Sequence, residues 1–282
     1  KGETMNQFFI LIIAFSISLS SNLNTIKMEA FDMEAVLSED QNRQPGTPER
    51  FAYSFDTDID FFEEASVELL NNGDKIWRLR IQSEDAIGLQ VYFNGFYLPE
   101  GAYLNIFSDD MLEGPFDTTS NHIPGEFSHA LIKGDMLTLE YYEPVLAEGS
   151  SILNISNVYH AYKDILGFYE EDRDRQCGVN VACDEGEFSD QINSVIFLSM
   201  GGYICSAALI NNTSFDLTPY VLTANHCLPS SNNDNVPGDP NYFTFYFKHQ
   251  SSSCSGSSGN YNYVRTGSTL RASYYYSDFA LL

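Results

Sequence analysis

The sequence predicts an all-β protein with two folded units, a small antiparallel sandwich followed by a second, cysteine-bearing β unit. In the first part of the chain, short runs of alternating apolar and polar residues are separated by turn residues. All five cysteines lie after residue 176. Residues 1–175 hold 31 of the 39 acidic residues and 11 of the 14 Lys and Arg residues. This change in charge along the chain indicates a boundary near 175. A chain of 282 residues with 43% hydrophobic content can bury such cores.

The formal net charge of -25 argues against a nucleic-acid partner. No cluster of Lys and Arg is present that could follow a phosphate backbone. The acidic first part of the chain is compatible with a solvated surface that keeps a secreted protein soluble, and with a specific basic partner. We therefore assign it no binding role.

The first residues, 1–22, predict a signal peptide. An apolar run over residues 8–17 follows Met5 and is followed by small polar residues, which is the order of such a signal, although no Lys or Arg lies after Met5 in this stretch. The run is shorter than the about 20 apolar residues that span a bilayer. We therefore expect export and no permanent membrane anchor.

The next elements follow in order along the chain. Residues 23–50 form an acidic, proline-containing lead-in, and residues 51–163 predict the antiparallel sandwich, with strand-like alternation over 75–81, 89–93, 102–107 and 136–142. Turn signals lie at residues 71–73, 94–95, 99–101 and 133–135. Residues 164–176 form a polar linker that contains Arg173 and Arg175, and we interpret it as a processing site.

The cysteines of residues 177–282 indicate an extracellular unit that is cross-linked by disulfides. The odd number, Cys177, Cys183, Cys205, Cys227 and Cys254, means a free thiol or a partner outside the chain, and spacing alone does not select a pairing. A zinc site is disfavoured because there is no C-x-x-C pair and because adjacent residues 226 and 227 converge poorly on one tetrahedral ion. We predict no metal and no cofactor.

A histidine ends the second of two predicted strands, which span residues 205–210 and 220–224. Its imidazole suits proton transfer from a serine hydroxyl near neutral pH. A lone histidine is more often a packed or surface residue. The motifs around His226 favour catalysis: residues 223–227, Thr-Ala-Asn-His-Cys, resemble the T-A-x-H-C signature of chymotrypsin-like serine proteases, and residues 278–282, Asp-Phe-Ala-Leu-Leu, resemble the segment carrying their catalytic aspartate.

A narrower resemblance is to secreted bacterial lysyl endopeptidase-like proteases. Residues 177–183 carry two cysteines in the spacing that opens their mature domain, and residues 205–213 are similar to their C-[ST]-x-x-L-[IV]-N-N-T pattern. Residues 96–102 and 134–144 look like parts of their β-rich propeptides. The resemblance implies that residues 51–163 are a propeptide that assists folding and covers the site. It implies that residues 177–282 are the first antiparallel β-barrel of a double barrel.

The resemblance also implies the disulfides and the catalytic roles. It pairs Cys205 with Cys227 and Cys183 with Cys254, and it sends Cys177 to a cysteine in a missing C-terminal region. The first of these bonds would close a loop of about 22 residues, stabilise the fold by roughly 3 kcal/mol and hold the neighbouring histidine against its strand. His226 would be the general base and Asp278 would orient it.

The serine nucleophile is expected outside the chain. No G-[DN]-S-G-[GS] segment occurs, and the serine-rich stretch 251–258 is interpreted as a flexible loop. We therefore expect a C-terminally truncated precursor that is inactive alone, with Arg173 and Arg175 as processing residues. The expected partners are protein or peptide substrates and the chain's own propeptide, and the expected location is extracellular. Two alternatives remain open: a binding pseudoprotease, and a structural β-sandwich adhesin in which residues 226 and 278 are incidental.

Overall fold

The computed structural model describes residues 23–169, 180–183, 186, 188–228, 239–256, 259, 261 and 263–282. The expected signal peptide, Arg173, Arg175 and Cys177 lie outside the described residues. The strands in chain order are β1 Thr25–Lys27, β2 Glu49–Arg50, β3 Ala52–Asp60, β4 Ser66–Leu69, β5 Lys75–Gln82, β6 Gly88–Tyr97, β7 Tyr103–Phe107, β8 Leu112–Phe116, β9 Phe127–Ser128, β10 Ile132–Lys133, β11 Met136–Glu143, β12 Ile152–Ala161, β13 Val195–Met200, β14 Tyr203–Ile210, β15 Tyr220–Thr223, β16 Thr244–Phe247, β17 Val264–Thr266, β18 Ala272–Tyr274 and β19 Phe279–Leu281. The α-helices are α1 Met33–Gln41, α2 Phe61–Glu64 and α3 Ser189–Ser194.

The predicted all-β class is confirmed, and the first part of the chain is a sandwich of two sheets. One sheet has the strand order β1-β5-β11-β7-β8 with β4 also paired to β5, and the other has the order β10-β6-β12-β3 with β9 paired to β6. Alternate residues of β5, β7 and β11 point inward, because successive side chains of a strand face opposite sides. They are buried against β6 and β12; among them are Leu79, Leu104 and Leu139.

One of the four turn signals was wrong. Asn94-Gly95 lies inside β6, and the register with β12 shifts there, since Asn154 is opposite Gly95 whereas Ile155 is opposite Phe93. Asn94 is therefore the extra residue of a β-bulge. The glycine is needed for close approach, because a Cβ at residue 95 would lie 3.1 Å from the Cβ of Asn154. A local turn signal cannot distinguish this bulge from a hairpin.

The acidic lead-in is structured and contributes one strand to the sandwich and one to the sheet of the second part of the chain. Strand β1 pairs in parallel with β5 of the sandwich. Helix α1 begins after Asp32, whose side chain accepts a hydrogen bond from the Ala35 N–H, as an N-cap residue does. Strand β2 then pairs with β14, in the second part of the chain. Charge and proline content predicted a lead-in but not these long-range partners.

The second part of the chain forms an antiparallel sheet with the order β17-β16-β13-β14-β15-β19-β18. Its core contains Ile196, Leu198, Phe243 and Ala280. Among the described residues, β17 and β18 are the two ends of this strand order and are not paired with each other. In β14, Ala207 is buried and the other residues are half-buried or exposed.

The expected linker is ordered in its first part. Asp164 accepts hydrogen bonds from the N–H groups of Phe168 and Tyr169. Leu166 and Phe168 are buried in a cluster between the two parts of the chain. We call residues 23–169 the N-terminal unit and residues 180–282 the C-terminal unit. In the part of the chain that the structure describes, no helix is both long and apolar enough to cross a bilayer.

Candidate active site

The histidine and the aspartate are brought together by the pairing of β15 with β19. Thr223 is opposite Ala280 in this antiparallel pair. The chain that leaves β15 therefore runs beside the chain that enters β19. His226 lies in a 3-10 turn, Asn225–Cys227, directly after β15, and Asp278 is the residue before β19. Two positions 52 residues apart in sequence are thus adjacent.

Both carboxylate oxygens of Asp278 accept hydrogen bonds from His226. Oδ2 is 2.7 Å from the ring Nδ1, and Oδ1 is 2.9 Å from the backbone N–H. An ionised carboxylate only accepts hydrogen bonds, so Nδ1 carries the proton and Nε2 presents its lone pair. The two contacts fix the tautomer and the orientation of the imidazole.

Asp278 lies in the turn before β19 and not within the strand. It caps a 3-10 turn, Tyr275–Ser277, in the left-handed region, with φ of 49°, where aspartate is among the residues that tolerate positive φ. The side chains of His226 and Asp278 are 42% and 52% exposed. The motif therefore places the pair at the surface.

Desolvation would raise the pKa of the Asp278 carboxyl, but the hydrogen bonds from the His226 ring and N–H outweigh it and lower the pKa below its ordinary value. The carboxyl is therefore ionised across the neutral range. With Nδ1 held as the donor to this carboxylate, Nε2 is the ring atom that can accept a proton. The arrangement can act as an oriented proton acceptor.

Two disulfides hold this region together. Cys205 of β14 is bonded to Cys227, next to the histidine, and closes a sequence separation of 22. Cys183 is bonded to Cys254. These are the two pairs that the resemblance implies. The first bond ties the turn that carries His226 to the neighbouring strand.

The same disulfide bears on metal binding. The ligand atoms of Cys205, His226 and Cys227 lie within 4.8 Å of one another. Both sulfurs are in the disulfide, and metal ligation by cysteine requires the thiolate. This group of residues does not fit a zinc site.

Two features of the site were not foreseen from the sequence. Tyr274, Tyr275 and Tyr276 are all exposed beside the aspartate, and the Tyr275 carbonyl accepts a hydrogen bond from the Asp278 N–H at 3.1 Å. The run of three tyrosines was the only available signal.

The N-terminal unit was expected to cover the site. Yet no described residue of that unit is hydrogen-bonded to His226 or Asp278, and both remain about half exposed.

The fold and the site together describe a β-protein in which one histidine is oriented by one carboxylate. Residues 172–282 match the family model described as lysyl endopeptidase, C-terminal domain. This match supports a lysyl endopeptidase-like protease family for that part of the chain. The two disulfides fit an extracellular protein.

The protein also has a weak structural similarity to one solved structure. The crystal structure of Aeromonas hydrophila PliG, a periplasmic lysozyme inhibitor of g-type lysozyme, aligns with 9% identity over 48% of this chain and 93% of that chain. The TM-score is 0.20, and this similarity is too low to relate the folds.

Proposed function

We propose that the protein is the precursor of a secreted serine endopeptidase of the chymotrypsin-like class. The observation that carries this proposal is the double hydrogen bond between His226 and Asp278, 2.9 Å to the backbone and 2.7 Å to the ring. This arrangement leaves Nε2 as the proton acceptor that the chemistry needs. The family match over residues 172–282 supports the same activity class.

In the proposed mechanism, His226 Nε2 removes the proton of a serine hydroxyl while the serine oxygen bonds to the substrate carbonyl carbon. Asp278 remains ionised and stabilises the imidazolium. The protonated ring then gives its proton to the leaving amine as the peptide C–N bond breaks, which restores neutral histidine. Water releases the acyl group in the second half of the cycle. The nucleophilic serine is proposed to lie outside residues 1–282.

The N-terminal unit is proposed to be the propeptide, and Arg173 and Arg175 are proposed to mark the processing segment. Cys177 is proposed to pair with a cysteine outside the chain. The proposed substrates are proteins or peptides. Export rests on the apolar run of residues 8–17 and on the two disulfides.

The two alternatives differ in how they agree with the geometry. An adhesin in which residues 226 and 278 are incidental gives no reason for a carboxylate that receives two hydrogen bonds from one histidine. A binding pseudoprotease keeps the same histidine and aspartate, so only the nucleophile distinguishes it from the enzyme.

The test is to express the product of the complete gene and to measure hydrolysis of a mixed peptide library. We expect hydrolysis by the wild type, and a loss of at least about a thousandfold for His226→Ala, because a residue of a catalytic triad is removed. The matched control is His122→Ala, another exposed histidine, which should retain activity. Absence of hydrolysis in the wild type would support the binding alternative.

A further inference from the structure

The N-terminal unit extends the sheet of the C-terminal unit through backbone hydrogen bonds. Arg50 in β2 is opposite Tyr203 at the start of β14. Immediately after β2, the N–H groups of Phe51 and Ala52 both donate to the Gly202 carbonyl, at 2.8 and 3.2 Å. Strand addition of this kind is a known mode of peptide recognition, in which main-chain bonds supply affinity.

Side chains continue this contact surface, which we call the seam. The Leu131 N–H donates to the Tyr246 hydroxyl at 3.0 Å, and the Gly201 N–H donates to the Tyr92 hydroxyl at 2.8 Å. Tyr92 also stacks on Tyr242, with ring centroids 4.8 Å apart and planes at 9°. Buried aromatic anchors of this type are the residues that dominate binding energy in stable interfaces.

The centre of the seam is buried, and it is distinct from the core of each unit. Tyr246 is fully buried and Tyr92 is 3% exposed. The apolar residues of the seam form a cluster of their own, which includes Phe51, Leu131 and Tyr159. The N-terminal unit and the C-terminal unit have separate cores. Neither described disulfide joins the two units, since both lie within the C-terminal unit.

The position of the seam in the sheet separates it from the His–Asp pair. The seam uses the turn before β14, strand β16 and residue Tyr242, which precedes β16. The histidine and the aspartate lie at β15 and β19, on the other side of β14 in the strand order. An N-terminal unit held at the seam therefore leaves the pair exposed.

We propose that the N-terminal unit, once cut from the C-terminal unit between residues 169 and 180, stays bound at the seam as a non-covalent subunit that leaves the His226–Asp278 pair open to substrate. The inference rests on the proposed function for the cut itself. The bound unit is then a structural subunit of the mature protein and does not block the site.

The test uses the full chain with the recognition sequence of a site-specific protease inserted after residue 171. After cutting at neutral pH, size-exclusion chromatography should show both fragments in one peak at micromolar concentration. Separate elution of two folded fragments would refute retention. Because elution does not depend on catalysis, this outcome is independent of whether the protein is an enzyme.

Two seam variants and a matched control make the test specific. Tyr242→Ala removes the stacking on Tyr92, and Tyr246→Phe keeps the packing but leaves the Leu131 N–H without its acceptor. We expect dissociation roughly tenfold faster for Tyr246→Phe, since an unsatisfied buried N–H is costly, and a larger increase for Tyr242→Ala. The control is Tyr263→Ala, whose side chain is 57% exposed. Equal dissociation rates for all four proteins would contradict the seam as the binding surface.

Access to the site in the cut complex is tested with diethyl pyrocarbonate, which acylates accessible imidazoles. In the peak that contains both fragments, His226 should be modified as readily as the exposed His122, whereas the buried His129 and His160 should be protected. Protection of His226 while the fragments remain together would overturn the open-site part of the proposal.

Discussion

Acid should weaken the fold through one buried histidine of the N-terminal unit. His129 is fully buried. Its Nδ1 is 2.5 Å from the Ala130 carbonyl oxygen, which can only accept, so Nδ1 carries the proton. Nε2 accepts from the Val91 N–H at 3.0 Å. A second proton on Nε2 would remove this acceptor and place a charge among apolar side chains.

The size of the effect follows from the pKa. Burial lowers the pKa of His129 from 6.5 to about 4, although the hydrogen bond to Ala130 acts in the opposite direction. Between these values the unfolded chain binds the extra proton and the folded chain does not, so stability falls as the pH decreases below 6.5. The linkage relation gives a loss of about 2 kcal/mol at pH 5 and about 3 kcal/mol at pH 4.

Two further titratable groups bear on the acid response. Tyr246 contacts the adjacent Leu131 backbone, and burial raises its pKa, so it stays neutral in acid. Burial raises the pKa of the Glu113 carboxyl, so this group binds its proton more readily in the folded chain and adds stability as the pH decreases. This contribution opposes that of His129, but it is present in the wild type and in both variants and therefore cancels in the comparison between them.

The assay is urea unfolding at pH 7.5 and pH 5.0 for the wild type, His129→Gln and His122→Gln. Glutamine retains an acceptor for the Val91 N–H but does not titrate. The wild type and the His122 control, an exposed histidine, should lose about 2 kcal/mol more than His129→Gln. An equal loss in all three proteins would refute the assignment of acid sensitivity to His129.

The remaining predictions concern the site and the cores. In the complete gene product, Asp278→Asn should lower the turnover of peptide substrate by about ten-thousandfold, because the imidazole loses its tautomer control. Replacing Cys205 and Cys227 together by alanine should lower the free energy of unfolding in urea by about 3 kcal/mol, as expected for a closed loop of this length. Leu104→Ala should cost about 3 kcal/mol in the same assay, since the side chain is fully buried, whereas Leu146→Ala, at a fully exposed position, should cost less than about 0.5 kcal/mol.

Controls sharpen these predictions. Asp216→Asn changes an exposed aspartate of the same unit and should leave turnover unchanged. A similar loss of turnover in both variants would indicate a general charge effect and would contradict the role of Asp278. The cysteine prediction is contradicted if the double variant is as stable as the oxidised wild type. The core prediction is contradicted if the two leucine variants are equally stable.

Alternation along single strands was sufficient to predict much of the sandwich. The runs at 75–81 and 136–142 correspond to β5 and β11, because each strand has one face in the core and the pattern is local. Partners were not predictable in this way. Strand β2 pairs with β14, more than 150 residues away along the chain. Leu166 lies in a segment whose composition predicts a polar linker, yet its side chain is buried in the seam.

The site shows the same difference between features set by neighbouring residues and features set by distant ones. His226 and Asp278 could be proposed from two short motifs, since the residues that hold them are their own sequence neighbours. His129 carried no motif, and its buried hydrogen bonds arise only when β6 packs beside it. The exposure of Asp278 was also not predictable, because the apolar residues that follow it indicate a buried strand but not the left-handed turn before that strand.

The most direct test of the central claim is covalent labelling of the complete gene product with a serine-directed organophosphate, followed by peptide mapping. The account predicts stoichiometric labelling of one serine outside residues 1–282, with labelling abolished in His226→Ala, because deprotonation of that serine depends on Nε2. Labelling of no serine, or equal labelling in wild type and His226→Ala, would contradict the assignment of His226 as the general base.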